Sequence, residues 1–198
     1  MLRRIALTLI LTVAASARAA VIYDEAMSGD FSNSGLTPTV LSVAGGSNQI
    51  FGSTGSVGGI DRDYWTFAIP DGLQLTSIVV LPGTVARGVV SFIGMQAGTQ
   101  VTLPTNTSTA TGLLGWYHYG VSDIDSDILG AMSVPSLGSS GFARPLGAGN
   151  LAFWVQDFNV GLSPYGFDFQ LEPVPTPEPG TWFSSIAAIL LAGICRRR

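Results

Sequence analysis

The chain has 198 residues, with 25 glycines, no lysine and a single cysteine, and a formal charge of −4. Six of its nine arginines lie at the two ends; between Ala20 and Pro177 only Arg62, Arg87 and Arg144 face twelve acidic residues, a net charge of −9. So negative a body repels a phosphate backbone and argues against nucleic acid as a partner, and the lone cysteine, Cys195, excludes an intramolecular disulfide.

The first element is a secretory signal over residues 1–19. Arg3 and Arg4 give a positive start, and Ile5–Ala15 is an apolar stretch too short for a comfortable membrane span. Ala17 and Ala19 supply the small residues that precede a cleavage point, so signal peptidase is expected to cut after Ala19, following passage through the Sec translocon. An uncleaved anchor is the alternative.

Residues 20–173 are expected to form the folded domain. Strands are predicted at Val21–Met27, Thr39–Val43, Gln49–Phe51, Asp63–Ile69, Leu75–Leu81, Val89–Met95, Leu113–Tyr119, Leu151–Gln156 and Tyr165–Leu171. In the last, Tyr165, Phe167, Phe169 and Leu171 alternate with Gly166, Asp168 and Gln170, the period-two pattern of a half-buried strand. Gly45–Gly59 and the threonine-rich Pro104–Gly112 are expected to be loops, and the sequon Asn106-Thr107-Ser108 marks the latter as surface. Helical periodicity is not sustained anywhere in the body. The predicted class is all-β, a single antiparallel β-sandwich of jelly-roll type, flanked by the signal helix and a short hydrophobic helix at the C-terminus.

Several residues in this body are candidates for chemistry. Asp123, Asp125 and Asp127 alternate within one loop and could supply three of the roughly six to eight oxygens that calcium takes. Ile128 and Val134 stand where an EF-hand needs Gly and Glu, so that motif is rejected; a looser calcium loop and a solvated acidic turn both remain. Asp61 and Asp63 form a second candidate calcium pair ahead of a strand. Trp116, Tyr117 and Tyr119 form an aromatic cluster that either stacks on sugar rings or packs in the core. No catalytic residue is expected. His118 is the only histidine, which excludes zinc sites built on two or three histidines, and Tyr165 breaks the one G-x-S-x-G-like run, Gly161–Tyr165. The only glutamates of the body, Glu25 and Glu172, lie near its two ends, so no glycosidase pair stands out; a hydrolase is the least supported class.

The segment Asp61–Val80, DRDYWTFAIPDGLQLTSIVV, combines an acidic pair, an aromatic strand, a Pro-Asp-Gly turn and an apolar strand. It is similar to secreted pre-peptidase C-terminal β-sandwich modules, and the runs LAFWVQ and YGFDFQL fit the closing strands of those modules. The resemblance implies a non-catalytic accessory domain, sometimes stabilised by calcium.

The last element is residues 174–198. Alternating prolines in Val174–Gly180 forbid a helix and keep the strip extended. Thr181–Cys195 follows without a charge; as a helix its 15 residues would reach about 22 Å, short of the hydrocarbon core of about 30 Å. Trp182 suits the outer interface, and Arg196, Arg197 and Arg198 hold the end on the cytoplasmic side. Pro177, Glu178 and Pro179 followed by a short apolar helix and terminal arginines resemble the PEP-CTERM sorting signal of exosortase substrates. That resemblance implies a Gram-negative host, a transient inner-membrane hold with the body outside, cleavage near the tripeptide by an exosortase-type enzyme, and delivery to the cell envelope or beyond. The expected function is a non-catalytic structural or adhesive protein of exopolysaccharide and biofilm. The alternative is a carbohydrate-binding module acting on that exopolysaccharide.

Overall fold

The protein is described by a computed structural model covering residues 19–56, 58–86, 91–157 and 160–176. Its elements in chain order are β1 (Ala20–Asp24), α1 (Glu25–Ser28), β2 (Thr39–Val40), β3 (Gly46–Gly55), β4 (Arg62–Ile69), β5 (Leu73–Val80), β6 (Ser91–Ala97), β7 (Gly115–Tyr119), α2 (Leu129–Met132), β8 (Gly149–Gln156) and β9 (Leu162–Pro173). The two helices are single turns. The fold is therefore mostly β, as the strand-forming runs separated by Gly, Ser and Pro predict.

The strands form two sheets, in the orders β1-β3-β9-β5 and β2-β4-β8-β6-β7. Neither sheet is wholly antiparallel, which corrects the expectation. β1 runs parallel to β3, and β2 runs parallel to β4. A parallel pair needs a crossover rather than a hairpin. Here the chain leaves β1 through α1, adds β2 to the opposite sheet, and only then returns as β3. The two short strands thus become edges of different sheets. The expected terminal helices lie outside the described residues, as do Ala17, Pro177, Glu178 and Pro179. Among the described residues no helix is long and apolar enough to cross a membrane.

Period-two alternation decides what each strand buries. On β4, Trp65, Phe67 and Ile69 point to one face, and on β8 Leu151, Phe153 and Val155 do the same; all six are buried. Ile50 on β3, Leu75, Ile78 and Val80 on β5 and Phe167, Phe169 and Leu171 on β9 meet them from the other sheet in one core. Rings lock across the gap: Phe169 sits 5.3 Å from Phe67 and 5.1 Å from Phe153, and Tyr165 lies 6.0 Å from Trp65, centroid to centroid. Each such ring buries enough apolar surface to contribute about 1.5–3 kcal/mol.

One expected loop is for the most part a central strand, of which the sequence marks only Gln49–Phe51 as extended. Within Gly45–Gly59, residues 46–55 form β3, paired with β1 on one side and β9 on the other. The glycine in the middle of this strand reflects a close approach rather than a turn. A Cβ on Gly52 would lie 2.4 Å from the Tyr165 hydroxyl, so only glycine lets that ring lie across the strand. Pro104–Gly112 is irregular, and its Asn106, Thr107 and Ser108 are exposed.

Candidate functional sites: an aromatic cleft and a carboxylate cluster

The outer face of the five-stranded sheet carries a second, smaller apolar group. Tyr64, Val101, Ala152 and Trp154 are buried there, with Phe92 and Leu103 packed against them. Val101 and Leu103 belong to the loop after β6, which is held down by the Val101 amide donating to the Gly35 carbonyl (2.8 Å) and by the Gln96 side chain bonding Thr102. The loop therefore roofs part of the sheet. Between roof and sheet lies a cleft of about 210 Å³, walled by Phe92, Trp116 and Trp154 and rimmed by Thr105, Thr107 and Thr109.

Trp116 reaches this cleft because β7 alternates. Trp116 and His118 point outward, where the indole is 6.2 Å from Phe92 and 5.1 Å from His118. The Trp116 Nε1 donates to the Ser136 carbonyl at 3.1 Å, which fixes the plane of the ring. A second recess, of about 420 Å³, lies against Trp116, His118, Val134 and Pro135, so the indole divides two hollows. Tyr117 and Tyr119 do not join it. Tyr119 is 1% exposed and packs edge-on against Phe167 at 5.0 Å, inside the core. Tyr117 also turns inward and donates its hydroxyl to Asp123 Oδ1 (3.1 Å). The three aromatics expected to form one sugar-stacking cluster are thus split by the strand, and only Trp116 stands where a ligand could reach it. Trp154 on β8, level with Trp116 across Gly94 of β6, and Phe92, two residues along β6, complete the wall. The alternation within VVSFIGM and LAFWVQ was the signal that could have found them.

The acidic residues divide as sharply. Asp123 caps the turn before it, accepting from the Gly120 amide at 2.7 Å as well as from Tyr117. Asp125 sits at φ 64° on the exposed side of the loop. Asp127 accepts from the Ile78 and Leu129 amides (3.0 Å each) and pairs with Arg144 at 2.7 Å. The loop is strapped to β5, with the Asp125 amide bonded to the Val80 carbonyl and the Ile128 amide to Ile78. It covers the open edge of the four-stranded sheet, a structural job. Its three carboxylates do not converge on one point.

Three other carboxylates do converge. Ligand oxygens of Glu25, Asp30 and Asp63 all lie within 4.8 Å of one another. Glu25 opens α1; Gly29, at φ 92°, ends the helix and turns the chain back, and Asp30 follows. Phe31 then plugs into the core against Trp65 (5.0 Å) and Tyr23 (4.3 Å), which anchors the turn. Asp63 comes from the inner face of β4 and is fully buried. Glu25 accepts from the Phe31 amide (3.0 Å) and the Ser53 amide (2.6 Å). Asp63 Oδ2 accepts from the Tyr165 hydroxyl at 2.7 Å, while its Oδ1 is buried with no hydrogen-bond partner.

Burial sets the electrostatics of this cluster. It pushes Asp63 up to about 9, with the neighbouring charge of Glu25 adding to the effect and the Tyr165 hydroxyl opposing it. It raises Glu25 to about 7 despite the two amide donors. Asp61, on the near side, is also raised by burial and by the charge of Asp30. Of the expected calcium pair, Asp63 therefore belongs to a three-carboxylate group, while Asp61 lies beside it. Glu25 and Asp30 were not singled out from sequence, since more than thirty positions separate them from Asp63 and no spacing rule links them.

The chain matches no protein-family model, no curated protein and no solved structure.

Proposed function

We propose that this chain is an exported, non-catalytic protein of a Gram-negative cell envelope or extracellular matrix that adheres to exopolysaccharide through the cleft around Trp116. The observation that carries this reading is the make-up of the cleft: flat aromatic walls from Phe92, Trp116 and Trp154 under a rim of threonine hydroxyls. A pyranose ring offers the matching surfaces, with C–H groups on its face for an indole and hydroxyls on its edge for other hydroxyls. The described lining residues include no aspartate or glutamate, whereas glycoside hydrolysis requires two carboxylates across the bond. The reading is therefore one of binding rather than cleavage.

The rest of the reading rests on the chain ends and the layers. Two facing sheets are compatible with a β-sandwich of jelly-roll type, the scaffold of many secreted binding modules. Signal peptidase would release the body after Ala19, just ahead of β1. The tail with Pro177, Glu178 and Pro179 would hold the body at the inner membrane until an exosortase-type enzyme passes it on.

A glycan array that includes the host's own polymer, probed with the full chain, tests the cleft. Trp116→Ala is expected to weaken binding at least about tenfold, the worth of one base-sized or sugar-sized stacking contact, while Tyr117→Phe leaves it unchanged. Absence of binding to every glycan would return the protein to a purely structural role. Intact-mass analysis of the protein from host fractions tests the sorting: full-length mass everywhere, with Arg196, Arg197 and Arg198 still present, would refute processing of the tail.

A further inference from the structure

We infer that Glu25, Asp30 and Asp63 form a binding site for a hard divalent cation, calcium, which ties the N-terminal segment to both sheets. Two independent observations meet here. The first is convergence: three carboxylates from separate parts of the chain place oxygens within 4.8 Å of one another. Two oxygens on opposite sides of a calcium ion, each at about 2.4 Å, lie about 4.8 Å apart, so the trio fits a single coordination shell.

The second is the orphaned oxygen. Asp63 has no exposed surface, and its Oδ1 has no donor. The other buried aspartates among the described residues are treated differently. Asp168 accepts from Ser47 Oγ, the Asn48 amide and Gln170 Nε2, and Asp157 accepts from the hydroxyls of Ser91 and Ser163. A buried carboxylate oxygen with no donor and no counter-charge beside it is strongly destabilising. The basic residue nearest in sequence does not supply one, because Arg62 turns to the opposite face of β4 and donates to Gln156 Oε1. A bound cation would satisfy Oδ1 and neutralise the cluster together.

The donor set selects the class of ion. All three ligands are carboxylates; the only histidine is on the outer face of β7 and the only cysteine is in the tail, so the nitrogen and sulfur donors that zinc and copper prefer are missing. Calcium tolerates an irregular shell that water can complete, whereas magnesium demands a near-ideal octahedron. Asp30 is exposed and gives water a way in. A hollow of about 250 Å³ lies on the Glu25 side of the cluster, beside Ser53 and Tyr165. The ligands also span the fold: Glu25 and Asp30 come from the segment after β1, Asp63 comes from β4, and Ser53 on β3 and Tyr165 on β9 hold Glu25 and Asp63 from the other sheet. A protein exported to a calcium-containing medium would gain this clasp only after leaving the cytoplasm.

Thermal melting of the full chain, in excess EGTA and then in about 5 mM calcium chloride, provides the test. Saturation is expected to raise the melting temperature by about 5–10 °C. Magnesium chloride is expected to do much less. Terbium, standing in for calcium, is expected to luminesce through Trp65 and Tyr165 and to be displaced by calcium. Asp63→Asn and Glu25→Gln should each reduce the calcium shift and the terbium signal at least about tenfold, while Asp125→Asn changes neither. Asp63→Asn also guards against simple misfolding, since without calcium the neutral amide should melt at or above the parent temperature. No melting shift and no terbium signal in the parent protein would overturn the site. So would a calcium response that survives both cluster variants and vanishes in Asp125→Asn, which would move the ion to the loop at residues 123–127.

Discussion

Two groups of three acids sit in this molecule, and they differ in what surrounds each carboxylate. In the loop Asp123–Asp127 the acids fan out. Asp123 caps a turn, Asp127 bonds two amides and Arg144, and Asp125 faces water. In the trio Glu25, Asp30 and Asp63 the acids converge, and the most deeply buried one has an oxygen with no donor. The loop stands close together in sequence but apart in space; the trio is the reverse. What makes a metal site is oxygens aimed at one point with their charge left over, and a D-x-D-x-D pattern specifies neither. In the loop every charge that leaves solvent has found its own partner, so an ion would have to break bonds to be held.

The difference should show most strongly against pH, in the presence of a chelator. Asp63 is raised to about 9 and Glu25 to about 7, above what either has in the unfolded chain. A folded state with raised carboxyl pKa values binds protons that the unfolded state has released, so these groups favour folding at low pH and lose that effect as pH rises. For Asp63 the loss begins above about pH 4 and continues to about 9; for Glu25 it ends near 7. Asp61, raised by burial and by the charge of Asp30, adds to the fall in the same direction, while the buried hydroxyls of Tyr165 and Tyr119, pushed above their usual value by burial, stay protonated throughout. The metal-free melting temperature should therefore fall between pH 5 and 9, with a limiting slope of about 1.4 kcal/mol per pH unit for each titrating group. Asp63→Asn should flatten the fall. A melting temperature that rises across that interval would mean that the cluster is not buried as described.

Next in size is Gly52→Ala. The new methyl would meet the Tyr165 hydroxyl, the sole donor to the Asp63 side chain among the described residues, and push it away. Overpacking of this kind costs about 1–3 kcal/mol. Chemical denaturation should show that loss, and calcium should recover part of it, because a cation replaces the donor that the tyrosine no longer supplies. Recovery by calcium to the same extent in the parent and in Tyr165→Phe would break the link between the ring and the cluster.

Asp127→Ala probes the other group. It removes acceptors for the Ile78 and Leu129 amides and the partner of Arg144. Leaving the Ile78 amide without its side-chain acceptor at the covered sheet edge should cost about 1–2 kcal/mol. The cost should be the same with and without calcium, measured by the same denaturation curves. A loss confined to the calcium-loaded protein would make the loop a metal site after all.

Much of this architecture is legible in the chain. The YGFDFQL and DYWTFAI runs alternate cleanly, and they are the strands whose rings lock the two sheets together. Two misreadings have physical causes. Outside Gln49–Phe51, β3 looks like a loop, and its Gly52 answers a tyrosine on a strand more than a hundred positions away, a contact of which local propensity carries no trace. The aromatic run of β7 looks like one cluster because neighbours in sequence suggest neighbours in space; in a strand they point to opposite faces, which puts Trp116 in the cleft and Tyr119 in the core. Of the carboxylate trio only Asp63 is legible in the sequence; its convergence with Glu25 and Asp30 is not. It depends on a crossover that brings the segment after β1 against β4, and topology of that kind is not written in any local pattern.

The smallest effect is the most discriminating between the two acid groups. Arg144 and Asp127 form the single ion pair seen among the described residues, and the two side chains are 38% and 33% exposed. Water and salt screen such a pair, so Arg144→Gln should cost no more than about 1 kcal/mol, and less in high salt. Arg144 also donates to the Thr76 carbonyl, which a glutamine amide can partly replace. The variant nevertheless frees one carboxylate of the loop from its counter-charge. If paired charge is what keeps the loop from binding metal, Arg144→Gln should acquire weak calcium affinity at the loop, seen as a second, low-affinity terbium phase that Asp125→Asn removes. If the loop is excluded by the divergence of its carboxylates, as the geometry indicates, the variant should bind no additional ion. The expected result is the latter, and a second phase would show that charge pairing rather than geometry separates the two groups.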